Sequence, residues 1–353
     1  MSATTYVVGD PESVKRWAPK INREVLKKTL VGKWQSKSAS SPIQVKDELK
    51  DYGDRISVQL RMQGSGNGRA NGKTLVGHGE KLTTHVQNVF LGQLRHMFED
   101  GGKLSNQRVS FNVQRESKDA LADWFADRDD YSLLAHLCGY TVETREEYIA
   151  GNTILAPSTG RILRADANTT DEALTDAIND VFVVADVDKM VAQAQTVSPA
   201  IRPVSIDGKD HYICVLHPFQ VLSLRRSDSE WYGLMKAAIQ GGKVSDNPIF
   251  TGALGVYDNV IFYSSNRIPQ GVHSTATTAV ANTRRAVLLG AQAACVCYGR
   301  GNGPHRYDWV EDKYDMGDKY RVAAGAIRGF VKSQFNSVDF STIVYSTYAA
   351  APM

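Results

Sequence analysis

Cysteine is scarce, and no motif is built on it. Only four of 353 residues are cysteine, namely Cys138, Cys214, Cys295 and Cys297. Only the last two are close, and C-x-C alone makes neither a zinc site nor a thioredoxin-type pair. This usage fits a reduced, cytoplasmic history. The opening stretch MSATTYVVGDPESVKRW lacks an apolar h-region and a small-residue cleavage site, which argues against secretion. No run approaches the roughly 18 apolar residues of a membrane helix. Charge of one sign is missing too: 41 Lys and Arg against 38 Asp and Glu leave a net +3. A dedicated nucleic-acid reader carries a concentrated basic excess, so that task is disfavoured. The eight histidines are scattered, with no H-E-x-x-H, and no G-x-S-x-G elbow occurs. That lowers the case for an enzyme, and no cofactor or metal is expected. There is no internal repeat and no regular βαβ alternation, so the class is α+β.

What is present is an ordinary folding composition. Hydrophobic residues make up 42% and charged residues 22%, which excludes disorder as the main state. The length suggests about two domains. Near the start, Asp10 and Pro11 have the chemistry of a helix N-terminus. Val14, Trp17, Ala18, Ile21 and Val25 follow at helical spacing, with a break or kink at Pro19. Lys15, Arg16, Lys20, Arg23, Lys27 and Lys28 lie between them. They read either as a solvated face or as a basic arm against an acidic partner or a neighbouring subunit. Residues 35–44 read as a linker.

The clearest strand has Ile56, Val58, Leu60 and Met62 alternating with polar residues. A glycine-rich stretch follows, with Gly64, Gly66, Gly68, Gly72, Gly77 and Gly79, and a second extended run spans Leu82 to Leu91. The pattern is a long antiparallel hairpin whose tip cannot form a core of its own, the signature of a binding arm. Glu116 to Cys138 reads as a long helix. Its apolar stripe is Ala120, Trp124, Tyr131, Leu134, Ala135 and Cys138, widened by Leu121 and Phe125. Glu116 and Asp119 suit its N-terminus, His136 its C-terminus, and Gly139 is a C′ residue. Further on, helices are expected at Asp186–Gln195 and Trp231–Ile239, and a small-residue helical pattern covers Arg284 to Cys297. Val204–Ile206 and His211–Leu216 flank an Asp207-Gly208 hairpin turn. Strands are expected at Val256–Tyr263, Tyr320–Val331 and Ile343–Tyr348.

Two constellations suggest chemistry. Residues 67–74, NGRANGKT, nearly match a phosphate loop, with Gly72, Lys73 and Thr74 in register. That motif needs a helix to follow, because the helix amides hold the phosphates. Leu75, Val76, Gly77, His78 and Gly79 do not start one, so a glycine-rich hairpin tip is the better reading. Asp123, Asp127, Asp129 and Asp130 cluster on the long helix, where a solvated or partner-facing acidic face fits better than a metal pair.

Several segments together carry a resemblance. GDPESVKRW (9–17), IQVKDELK (43–50), GDRISVQLRM (53–62), LTTHVQNVFLGQLRH (82–96), SNQRVSFN (105–112), ALADWFADR (120–128) and LCGYT (137–141) are among them. SPAIRPV (198–204), YICVLHPFQ (212–220) and NPIFTGALGVYDNV (247–260) continue them in order. They resemble the major capsid protein family of tailed bacteriophages, of the type found in N4-like podoviruses. The resemblance implies the tailed-phage major capsid protein fold. Its parts would be an N-terminal arm (1–52), an extended hairpin loop (53–95), a peripheral domain (96–150) with spine helix 116–138, an axial domain (151–300) and C-terminal strands (301–353) completing both. The hairpin tip is richer in glycine and less acidic than such a family suggests. The implied function is a non-enzymatic shell subunit in the virion, assembled in the host bacterial cytoplasm. Copies would form pentamers and hexamers of an icosahedral head enclosing double-stranded DNA, with scaffold, portal and decoration proteins as further partners and no membrane. Gly64, Gly66, Gly68, Arg69, Gly72, Lys73, Leu75 and Val76 would then be the inter-subunit loop. Lys15, Arg16, Arg23, Lys27 and Lys28 would face the interior or a neighbour. Alternatives are an encapsulin-like compartment of the same fold and a nucleotide-binding enzyme using Gly72-Lys73-Thr74.

Overall fold

A strand has two edges, and in this protein one strand uses both along its length. Lys319–Lys332 is 14 residues long, about 46 Å at strand rise. On one edge it pairs antiparallel with Gly92–Glu99. On the other it pairs first with Tyr307–Tyr314 and then, further along, with Ala294–Tyr298. Ile43–Lys46 and Gln35–Ser36 extend this sheet by parallel pairing. A second sheet runs in the order Ile162–Arg164, Thr342–Tyr348, Thr283–Leu289, Lys209–Leu216, Val260–Ser264, Gly255–Tyr257, with Val204–Ile206 hairpinned onto 209–216. The computed structural model describes residues 24–25, 28–47, 53–60, 68–79, 85–108, 113–206, 208–227, 255–300 and 305–352.

Alternation along buried strands assigns the cores. In the second sheet Cys214, Leu216, Leu288 and Tyr345 face the helices Val184–Thr196 and Pro218–Ser227. Ile213, Val215, Val287, Leu289 and Val344 face the other way. There they meet Ile43, Val45, Ala294, Val296 and Phe330 of the first sheet and Leu133, Leu134 and Leu137 of the long helix. The first half of that helix packs Leu121, Ala122 and Phe125 on Tyr307, Trp309, Val322 and Ala324. The far side of the 294–298 strand, Cys295 and Cys297, is covered by a hairpin through Ile56, Val58 and Val89. All four cysteines are free and buried; burial pushes the Cys138 thiol up to about 12 and the Cys295 thiol up to about 11.

Several expectations hold. The 55–60 strand pairs antiparallel with 85–90, the helix 184–196 is present, and the last two strands form as read. Gly139 sits in the left-handed region past the long helix. Others are corrected. Arg284 to Cys297 is not a helix but two strands, Thr283–Leu289 and Ala294–Tyr298. Both are buried, and full burial on two faces erases the period-two pattern that marks a strand. Val256–Tyr263 splits into two strands at Asp258 and Asn259, both at positive φ. The 35–44 linker contributes two short strands. The 231–239 helix, Asp10, Pro11 and Pro19 lie outside the described residues.

The long helix spans Val113–Cys138, and its buried face is rotated from the expected one. Ala120 is exposed and Trp124 and Tyr131 are half-buried, while Ala122, Ala126, Asp129 and Asp130 turn inward. The acidic cluster therefore divides: Asp129 and Asp130 are buried, while Asp123 stays on the exposed face and Asp127 is half-buried. Asp130 accepts the backbone N–H groups of Leu30 (2.8 Å) and Val31 (3.2 Å). Asp129 takes Tyr307 and Arg328. Asp123 pairs with Lys28, and Asp127 pairs with Arg267. The cation at the helix C-terminus is not His136 either. Burial pushes His136 down to about 4, so it is neutral, and its Nε2–H donates to the Ile149 carbonyl at 3.0 Å. Arg285 caps that end instead, donating to the carbonyls of Gly139 (2.9 Å) and Cys138 (3.3 Å) and pairing with buried Asp171 at 2.6 Å.

These buried groups set an acid response. Burial lowers His136 and His217 to about 4, so the unfolded chain takes up two protons between pH 6.5 and 4 that the fold refuses. Each costs about 3 kcal/mol by pH 4. Burial raises Asp130 to about 6, so its protonation returns a similar amount over the same window. From these three groups the expectation is a loss of about 3 kcal/mol of subunit stability from pH 7 to 4, to which the lowered carboxylates Glu143 and Asp171 add in the same direction. Urea midpoints across that range will show the loss, and His136→Gln will flatten it.

Candidate assembly surface

The hairpin 55–60/85–90 has one apolar and one mixed face. Ile56, Val58, Leu60 and Val89 are buried, whereas Arg55, Ser57, Gln59, Val86, Asn88 and Phe90 stand exposed. Ser57 Oγ donates to Asn88 Oδ1 across the outer face at 2.9 Å. The base is tied down at several points. Gln292 Nε2 reaches the Gln59 carbonyl at 3.3 Å. Gln334 N donates to Gln87 Oε1 at 3.3 Å, and His85 meets Phe335 edge to face.

The tip is the opposite. Every residue from 68 to 79 is exposed, Leu75 by 70% and Val76 by 86%. Asn71 and Gly72 both have positive φ, and Lys73 N closes a turn on the Ala70 carbonyl at 3.4 Å. This is the Asn-Gly hairpin turn, a dipeptide signal that the phosphate-loop comparison masked. Arg69 reaches His78 across the turn at 2.6 Å. Leu75 to Gly79 form no helix, so the loop presents no helix amides to a phosphate and the nucleotide reading has no structural support.

The expected loop residues Gly68, Arg69, Gly72, Lys73, Leu75 and Val76 thus lie together on one exposed tip. Gly64 and Gly66 lie outside the described residues, as do Lys15, Arg16, Arg23 and Lys27 of the basic arm. Lys28, the arm's one described cation of that set, pairs within the chain to Asp123 at 2.7 Å.

Sequence reasoning missed the corner where the hairpin leaves the body. Leu91 is the single residue between the 85–90 strand and the 92–99 strand of the large sheet. Asn152 clamps this corner. Its Oδ1 accepts the Phe90 N–H at 2.9 Å and its Nδ2 donates to the Phe90 carbonyl at 2.9 Å. A side-chain amide at such a distance in sequence leaves no local signal. Glycines allow the approach: a Cβ on Gly329 would lie 2.2 Å from the Phe90 carbonyl oxygen, and one on Gly151 2.8 Å from the Gly92 nitrogen.

With this geometry in place, comparison with known proteins is decisive. The family model described as phage capsid protein matches residues 5–351. The chain belongs to the phage capsid protein family. The major capsid protein of Pseudomonas phage KPP25 is 25% identical to it, over 95% of this chain and 94% of that one. The capsid of Ralstonia phage GP4 is 29% identical, covers 100% of both chains and superposes with a TM-score of 0.79. The Cyanophage Pam1 capsid asymmetric unit shares the fold at 19% identity, with 93% and 94% coverage and a TM-score of 0.69. The fold is that of tailed-phage major capsid proteins, as the sequence resemblance implied. The capsid protein is a virion component, and copies of it build a multimeric icosahedral head. The match carries no N4-type subdivision.

The glycine crossing yields a stability prediction. Gly329→Ala forces backbone apart at the hairpin base and will lower subunit stability by roughly 1–3 kcal/mol in urea unfolding. Gly79→Ala, with open space around it and no positive φ, will stay within about 0.5 kcal/mol of wild type.

Proposed function

We propose that the hairpin tip is the inter-subunit clamp of the head, gripping an adjacent capsid protein within pentamers and hexamers. The observation that carries this reading is the exposure of Leu75 and Val76 on a tip whose base is fixed. An exposed apolar pair gains stability only when a second molecule covers it. Head-to-tail contacts of this kind are heterologous and close into rings. Each is modest alone, but a shell subunit has several neighbours, and their contacts add through high effective concentration.

The shell encloses double-stranded DNA. The near-balanced charge supports this, since DNA must move during packing and a strongly basic lining would hold each phosphate it met. Lys15, Arg16, Arg23 and Lys27 take the role of meeting the interior or a neighbour, whereas Lys28 is already paired with Asp123. Assembly takes place in the host bacterial cytoplasm with scaffold, portal and decoration proteins as partners. The subunit performs no catalysis. The encapsulin-like alternative gives way to the capsid reading on family membership. The division into peripheral (96–150) and axial (151–300) parts draws support from the last segment: its 307–332 strands join the sheet holding 92–99, and its 342–348 strand joins the other sheet.

Removing residues 64–79 will leave folded, soluble subunits that form no shells in negative-stain electron microscopy. The double variant Leu75→Ser, Val76→Ser will unfold within about 0.5 kcal/mol of wild type, because both side chains are exposed, yet assemble poorly. Normal shells from either variant sink the clamp role.

A further inference from the structure

A stalk that must reach the same place on every neighbour has to leave the body in one direction. The geometry points to Asn152 as the residue that fixes this direction: it clamps the Phe90 peptide, sets the angle between hairpin and body, and thereby sets the curvature of the assembled shell. The inference rests on the assembly role proposed for the hairpin.

The bonding pattern leaves a place for such a clamp. Arg55 and Phe90 face each other across the hairpin, and Leu91 N donates to the Asp54 carbonyl at 2.9 Å. That makes Arg55–Phe90 a non-hydrogen-bonded pair, so the N–H and C=O of Phe90 both point out of the hairpin. A further strand would normally take them. The Asn152 amide takes both instead, imitating one residue of a strand. Its second N–H is spent on the Ala150 carbonyl at 3.2 Å, and Asn152 itself is buried, so the amide has one orientation.

The support behind the clamp is equally determined. Ala150 and Gly151 both have positive φ, a conformation that costs an alanine about 1 kcal/mol and is kept where the surroundings demand it. The Ile149 carbonyl is held by His136 of the long helix. Arg328 Nη2 reaches the neighbouring Glu147 carbonyl at 3.2 Å. A continuous path therefore runs from the long helix through residues 147–152 to the hairpin corner. Packing of Ile56, Val58 and Val89 keeps the hairpin on the sheet, but apolar contact is non-directional; the Asn152 amide supplies direction at the inner end, where the hairpin leaves the body, and Gln292 and Gln334 hold the outer end at Gln59 and Gln87. The leverage is considerable. A six-residue strand is about 20 Å long, so a 10° swing at the corner would move its far end by about 3 Å, which is enough to break a hydrogen-bonded contact with a neighbour as well as the Gln59 and Gln87 bonds to the body.

The test compares the full-length wild type with Asn152→Ala and Asn152→Asp. Hydrogen exchange of the unassembled subunits is read by mass spectrometry over residues 85–92, and particle diameters are measured by cryo-electron microscopy. Asn152→Ala is expected to speed exchange in that segment about tenfold while leaving the long helix protected, and to give open or variably sized particles. Asn152→Asp keeps the acceptor for the Phe90 N–H but loses the donor, and is expected to fall between; it carries the test if the alanine variant fails to fold. Unchanged exchange in 85–92 overturns the clamp. Faster exchange with particles uniform at the wild-type diameter overturns its link to curvature. Wild-type protein that forms no shells even with its packaging partners overturns the assembly reading itself, and the exchange result alone then judges the clamp.

Discussion

The 319–332 strand is the constraint from which the remaining architecture follows. Its length lets one edge serve two partners in succession while the other edge holds the 92–99 strand. Alternation then gives it two working faces. Val322, Ala324 and Ala326 receive the long helix. Near the far end, Phe330 enters the central core while Val331 turns to the hairpin. Small residues at the crossings matter as much as large ones in the core. Gly329 admits the hairpin backbone, and Ala324 and Ala326 let the helix lie close. Fully buried side chains such as Arg328 and Lys332 are tolerated on this strand because each meets a buried carboxylate, Asp129 and Asp339. A buried charge without such a partner would shift the fold's balance by several kcal/mol.

Local periodicity made part of this legible and hid the rest. The 55–60 strand has one dry and one wet face, so its alternation survives in the sequence. The 283–289 and 294–298 strands are dry on both faces, and their run of alanine, leucine and cysteine carries no period of two. The existence of the long helix was readable from its spacing, but its orientation was not. Asp129 and Asp130 turn inward because Tyr307, Arg328 and the amides of Leu30 and Val31 wait there, and those partners lie about a hundred or more residues away. A side chain's charge says nothing about a partner so distant.

The candidate surface divides in the same way. A glycine-rich segment with two isolated apolar residues announces an arm, and the arm is where the pattern puts it. How the arm is held is invisible locally. Asn152 lies 62 residues from Phe90, and Gly329 is far from both in sequence. The function was legible chiefly through collinear resemblance along the whole chain, because a shell subunit is defined by contacts between copies, which leave no motif of fixed spacing.

The sheet pairings also govern when the subunit can exist at all. Ile43–Lys46 waits for Ala294–Tyr298, and Gly92–Glu99 waits for the 319–332 strand. The 342–348 strand sits inside the second sheet rather than at its margin. Neither sheet can close until the 319–332 and 342–348 strands have been made, and such non-local pairing folds slowly. A chain that stops short of these strands therefore lacks members of both sheets and presents exposed strands to chaperones and proteases, not a half-made surface to a growing shell. The topology acts as a proofreading step: synthesis through residue 348 is a physical precondition for entering the lattice.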